Sequence, residues 1–153
     1  VATYGTFVDN TTLKASELNN FFVSTTFTPV LRQSSSLPIQ SNHYGVYFQV
    51  NKLVFCIIHA LPTASGTPGQ RIEFDLPVTA ASSSVRVIGR GYFSDDSASR
   101  VYRLAVVQYS TTRAAFISED ANSLTAYLGT TGGPNTALAN ADAIGLNICY
   151  EAA

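Results

Sequence analysis

Two histidines, two cysteines and two adjacent acidic pairs are the side chains of this 153-residue chain that could hold a metal ion or move a proton. Cys56 and His59 have the spacing of half a metal motif. The run around them is apolar and alternating, however, and in a strand residues three apart point to opposite faces and cannot chelate one ion. His43 follows Ser41 and Asn42 just before an apolar run, where a solvated imidazole is the simplest account. Paired carboxylates such as Asp95-Asp96 and Glu119-Asp120 could serve glycoside hydrolysis or bind calcium. Each pair stands beside Ser or Asn in a turn-like stretch, where short acidic side chains bond their own backbone. No EF-hand loop, GxSxG elbow or P-loop occurs. The expectation is therefore no catalytic residue, no metal and no cofactor.

Aromatic residues are the other chemically suggestive group. Tyr44, Tyr47, Phe48, Tyr92, Phe93, Tyr102 and Tyr109 could build a platform for sugar rings, although core packing accounts for most of them. Alternation sets Tyr47 and Phe48 on opposite faces of one strand, so at least one aromatic is exposed or at an interface. Tyr47, Tyr92 and Tyr102 are the candidates for contact with a receptor. Arg86, Arg90, Arg100 and Arg103 are read as solvated charges on a sheet face. Cys56 and Cys149 each sit in an apolar run and are read as buried reduced thiols, with a single disulfide between neighbouring strands left open, and two are too few for a disulfide framework.

The elements that position these residues are mostly strands. One helix is predicted, over Leu13 to Phe22, because Leu18, Phe21 and Phe22 share a face at i, i+3, i+4 spacing. At about two or three turns it needs packing partners to persist. Residues 25–39, with Pro29, Pro38 and three serines, read as an extended connector with one strand near Phe27 to Leu31. From Tyr44 the period is two. Tyr44 to Val50 and Leu53 to Leu61 form a hairpin across Asn51-Lys52, since Asn tolerates positive φ. Arg71 to Leu76 alternates, with Ile72, Phe74 and Leu76 inward and Arg71, Glu73 and Asp75 outward. Further strands are predicted over Val85 to Phe93, Val101 to Tyr109, Arg113 to Ser118 and Ala143 to Tyr150. About seven or eight short strands with one apolar face each predict an all-β fold, an antiparallel β-sandwich or jelly roll. The predicted organisation is an extended N-terminal arm with a short helix (residues 1–40) followed by a β domain (residues 41–153).

Composition agrees and narrows the partners. Charged residues are only 12% of the chain against 46% hydrophobic, and the net charge is −1. Nucleic acid is not an expected partner, because phosphate binding requires clustered cations. No run approaches the roughly 18 apolar residues of a membrane helix, and no basic start precedes an apolar core, so neither membrane insertion nor a signal peptide is expected. A weakly charged polar surface lowers repulsion between copies and favours assembly.

The opening Thr6-Phe7-Val8-Asp9-Asn10-Thr11-Thr12-Leu13-Lys14-Ala15-Ser16-Glu17-Leu18-Asn19 resembles a segment common in tail, fibre and head-decoration proteins of tailed bacteriophages. In that segment an aromatic and an acidic turn lead through Leu-Thr-Ala-Ser-x-Leu-Asn into a short helix. Phe27 to Leu31, Tyr47 to Val54, Phe74 to Ala80, Gly89-Arg90-Gly91 and Tyr150-Glu151 look in their order like the β-sandwich module of the same particle-surface proteins. Lys14 stands where the family usually has Thr, and Asn51 where Gly is usual. The resemblance implies a non-enzymatic virion protein, a homotrimer, with Leu13, Leu18, Phe21 and Phe22 attaching it to other virion proteins such as the major capsid protein. Two positions on the particle stay open: a capsid decoration (cement) protein, or a receptor-binding fibre tip that recognises a bacterial surface glycan or protein.

Overall fold

In the computed structural model, which describes residues 23–34, 38–39, 41–82, 84–119, 126–134 and 136–153, the alternating segments become ten strands. They are β1 (Thr25–Phe27), β2 (Leu31–Gln33), β3 (Pro38–Ile39), β4 (Ser41–Val50), β5 (Leu53–Pro62), β6 (Ile72–Asp75), β7 (Arg86–Asp95), β8 (Arg100–Gln108), β9 (Arg113–Ser118) and β10 (Ala143–Glu151). All pair antiparallel, in the order β1-β4-β5-β10-β7-β8-β9-β6-β2-β3.

That order forces the sheet to curl. β1 lies at one end and β2 near the other, yet only residues 28–30 separate them, a reach of roughly 14 Å at most. β3 and β4 are one residue apart across the same gap. The two ends of the sheet therefore meet, and the ten strands run along eight chain segments, two of which bend at this corner. The carbonyl of Val30, in the bend, accepts a hydrogen bond of 3.1 Å from the N–H of Asp75. Gly45 makes room there, because a Cβ at that position would strike the Phe27 ring and Pro29. The strand expected near Phe27 to Leu31 is thus two short strands with the bend between them, since Pro29 cannot donate to a ladder. β1, β2 and β3, which fall within the stretch expected as an arm, pair into the sheet.

Curling places one face of every long strand inside. Val54, Cys56, Ile58 and Ala60 of β5 meet Ile144, Leu146, Ile148 and Tyr150 of β10, with Leu104 and Val106 of β8, Phe74 of β6 and Leu31 of β2 completing one core. Phe74 stacks on Phe116 at 5.5 Å and Phe93 on Tyr102 at 5.9 Å. A bulge between Val87 and Gly89 leaves Ile88 without a partner in the ladder and turns it into the core. Gly89 and Gly91 let β10 approach β7 closely, because a Cβ on either would collide with the β10 backbone.

The all-β antiparallel class holds, and the hairpin turn is as predicted, with Asn51 at φ 53°. Hydrogen bonding joins the described strands into one curled sheet, and it establishes neither two separate sheets nor a jelly-roll order. The expected helix, with Leu13, Leu18, Phe21 and Phe22, lies outside the described residues.

Candidate contact surface

Pairing register sets out the outer face of β4, β5 and β10 row by row, because residues directly opposite each other share a face. Tyr44, His59 and Gly145 form the first row, Val46, Ile57 and Asn147 the second, Phe48, Phe55 and Cys149 the third, and Val50, Leu53 and Glu151 the fourth. The first row continues onto β7 and β8 through Tyr92 and Arg103, the second through Arg90 and Ala105. Phe48 and Phe55 stack at 4.8 Å, as facing aromatics on one pleat do. Tyr44 is 59% exposed, Ile57 55%, Leu53 43% and Phe55 36%, and Cys149 is exposed among them. Most of these are aliphatic or aromatic side chains on the side of the sheet turned away from the core. The patch extends about 20 Å along the strands and about 10 Å across them.

The three tyrosines singled out from the sequence part ways. Tyr47 packs edge-on against Phe27 at 5.8 Å, and Tyr102 lies on Phe93, both partly buried against the core. Tyr92 stands on the outer face with its ring over Gly145 and belongs to the apolar patch. The arginines also divide. Arg90 is exposed and 3.2 Å from Glu119, whereas Arg86 donates from Nε to the buried Gln108 side chain at 2.9 Å.

The acidic residues are held by the fold. Asp95 Oδ1 accepts from the Ser97 hydroxyl at 2.7 Å and the Ala98 N–H at 3.0 Å, and Oδ2 accepts from the Thr136 hydroxyl at 2.8 Å. Burial acts to raise its pKa, but these bonds outweigh burial and hold the carboxyl below the ordinary range. Asp142 accepts from the N–H groups of Asp96 at 3.0 Å and Ala139 at 2.7 Å. There burial prevails and pushes the pKa up, with the two N–H bonds offsetting part of the rise. Asp120 lies outside the described residues, and Glu119 pairs with Arg90. Among the described residues no three His, Cys, Asp or Glu side chains converge as a metal site would require.

A charge cluster that sequence reading missed lies on the outer side of β2, β6 and β9. Arg32 grips Asp75 with two bonds, at 3.0 and 2.8 Å. Arg71 donates to Glu73 at 2.7 and 2.5 Å, and Arg113 reaches Glu73 at 3.4 Å and Asp75 at 3.5 Å. The Arg71 guanidinium also sits 3.6 Å over the Tyr109 ring and 5.0 Å from that of Tyr127. Glu73, outward by alternation, is consequently buried under its two arginines. Its carboxylate and that of Asp75 are taken up by guanidiniums, which makes the cluster a brace between strands rather than an acid-base pair.

The cysteines correct the expectation that both are buried. Cys56 faces the core, and burial pushes its thiol up to about 12, whereas Cys149 is exposed on the outer face. Cys149 stands opposite Phe55, and Cys56 opposite Ile148, so the two thiols lie on opposite sides of the same pair of strands and do not bond. Cys56 and His59 likewise point apart, as their spacing predicts.

Comparison of the chain with protein-family models, with curated proteins and with solved structures finds no match.

Proposed function

We propose that this chain is a non-enzymatic structural protein of a tailed-phage virion, acting through surface contact with copies of itself and with other virion proteins. Its place would be the capsid exterior, as a decoration protein that stabilises the shell by adding buried area between neighbouring subunits. The observation that carries this reading is the apolar outer face of β4, β5 and β10. Monomeric proteins rarely leave a continuous patch of more than a few hundred Å² exposed unless something covers it. The occupied state of the carboxylates of Glu73, Asp75, Asp95 and Asp142 supports the same reading, since each is engaged in bracing strands or loops. The order of motifs from Phe27 to Glu151 adds the resemblance to particle-surface proteins.

Electron microscopy of intact virions with an antibody against the chain tests the reading, together with heat resistance of particles lacking the gene. Label on the head and reduced heat resistance are expected. Absence of label from particles would overturn the proposal. Label at a fibre tip, with Tyr92 substitution abolishing adsorption, would favour the second reading, recognition of a bacterial surface glycan or protein. The feature that favours that reading is the exposed ring of Tyr92 beside Tyr44 and His59 in the first row.

A further inference from the structure

Resting on that reading, we infer that the outer face of β4, β5 and β10 is where one copy of this chain meets another. The large exposed apolar side chains of these three strands, Tyr44, Leu53, Phe55 and Ile57, leave on the order of 400 Å² open, taking roughly 200 Å² for each large side chain. With the exposed Tyr92, Asn147 and Cys149 around them the face reaches roughly 600 Å², the lower end of the about 600 to 1,000 Å² per partner of a standard complex. An area of that size covered by a second copy accounts for the whole patch.

Charge favours a second copy over a foreign partner. On β4, β5 and β10 the second and third rows, Val46, Ile57 and Asn147 with Phe48, Phe55 and Cys149, carry no charged side chain, so two copies meet there without like-charge repulsion. Charges stand at the margins and differ in sign along the strands. Glu151 closes the fourth row, Arg90, paired with Glu119, flanks the second, and Arg103 extends the first. Two copies laid with these ends matched bring acid to base, the polar rim around an apolar centre that stable interfaces have. A basic or acidic partner would find no matching field in the centre of the face.

The test is the mass of the full chain in solution, with Ile57→Glu as the variant. Ile57 is 55% exposed and touches no part of the core, so the substitution leaves the strand pairing intact. The wild-type chain at about 100 µM should sediment as a multiple of 16.3 kDa. Ile57→Glu should sediment at the single-chain mass with an unchanged circular-dichroism spectrum. Cys149 should be protected from a thiol reagent in the wild-type assembly and react in the variant, while Cys56 stays protected in both. Retention of the multiple by Ile57→Glu, or a monomeric wild-type chain, would overturn the inference. A monomeric chain with Cys149 protected, and freed by Phe21→Ser with Phe22→Ser, would likewise overturn it in favour of cover by the chain's own N-terminal segment. A monomer still found on virions refutes the copy-to-copy contact and leaves the functional reading standing. A monomer absent from virions refutes both.

Discussion

Gln33 is the side chain whose loss has the most legible cost. It is buried at the end of β2 and ties two loop segments to the sheet. Its Nε2 donates to the carbonyls of Gln70 at 3.2 Å and Thr136 at 2.7 Å, and its Oε1 accepts from the N–H of Leu138 at 2.8 Å. Gly66 and Gly129 press against it, and Gly129 holds φ 90°, a conformation that a larger residue would strain. Gln33→Leu keeps a side chain of similar bulk and removes all three bonds. Each buried group left unpaired costs about 1 to 3 kcal/mol, and carbonyls that turn to water fall at the low end, so the loss is about 3 kcal/mol. In a domain of this size that lowers the melting temperature by about 6 to 12 °C.

Urea unfolding followed by circular dichroism measures the loss, and amide exchange at Leu138 should accelerate with it. Gln33→Glu gives a control with a sign. Its carboxyl would face two carbonyl oxygens, so its folded pKa would rise above the unfolded value of about 4.3. Stability would then be greatest below that value and be lost as pH rises through the raised folded pKa. A Gln33→Leu protein within about 1 kcal/mol of wild type would refute the reasoning, since surface changes stay inside that range.

Four further outcomes are expected. Tyr150→Phe should cost about 1 to 3 kcal/mol in urea unfolding, because the buried hydroxyl accepts from the Val78 N–H at 3.1 Å and donates to the Val78 carbonyl at 2.8 Å. Arg71→Met should destabilise by on the order of 2 kcal/mol by leaving Glu73 with the more distant Arg113, and Arg71→Met with Glu73→Met should recover most of that loss in the same assay. Asp95 should contribute stability that is present above its unfolded pKa of about 3.9 and lost as pH falls through its depressed folded value, and stability measured against pH should lack that part in Asp95→Asn. In wild-type protein dissociated by dilution, a thiol reagent should modify Cys149 and not Cys56, as mass spectrometry of the labelled peptides would show.

Three segments noted separately in the sequence prove to be one piece of structure. The end of the Phe74 to Ala80 stretch runs beside the end of β10, where the Tyr150 hydroxyl brackets Val78, Ala80 bridges to Ala152, and Ala81 donates to the carbonyl of Glu151 at 2.9 Å. Gly89 and Gly91 lie against the same strand. Pro77 has no N–H, so this stretch is held by a side chain and isolated bridges instead of a regular ladder.

The chain's local order was readable without coordinates, because a strand's side-chain period is two and each alternation names its own inward face. That rule placed Ile72 and Phe74 in the core and separated Cys56 from His59, while asparagine's tolerance of positive φ set the turn at Asn51. Alternation says which side of a strand a residue occupies but not what lies across from it. The bend at residues 28–30, the burial of Glu73, the exposure of Cys149 and the triple role of Gln33 all depend on which strands become neighbours. Neighbours are chosen by closure of the whole sheet, a cooperative outcome of contacts between residues up to 105 positions apart, as between Gln33 and Leu138. The apolar outer face has the same origin: every residue in it is visible in the sequence, but only the register of β4, β5 and β10 assembles them into one surface.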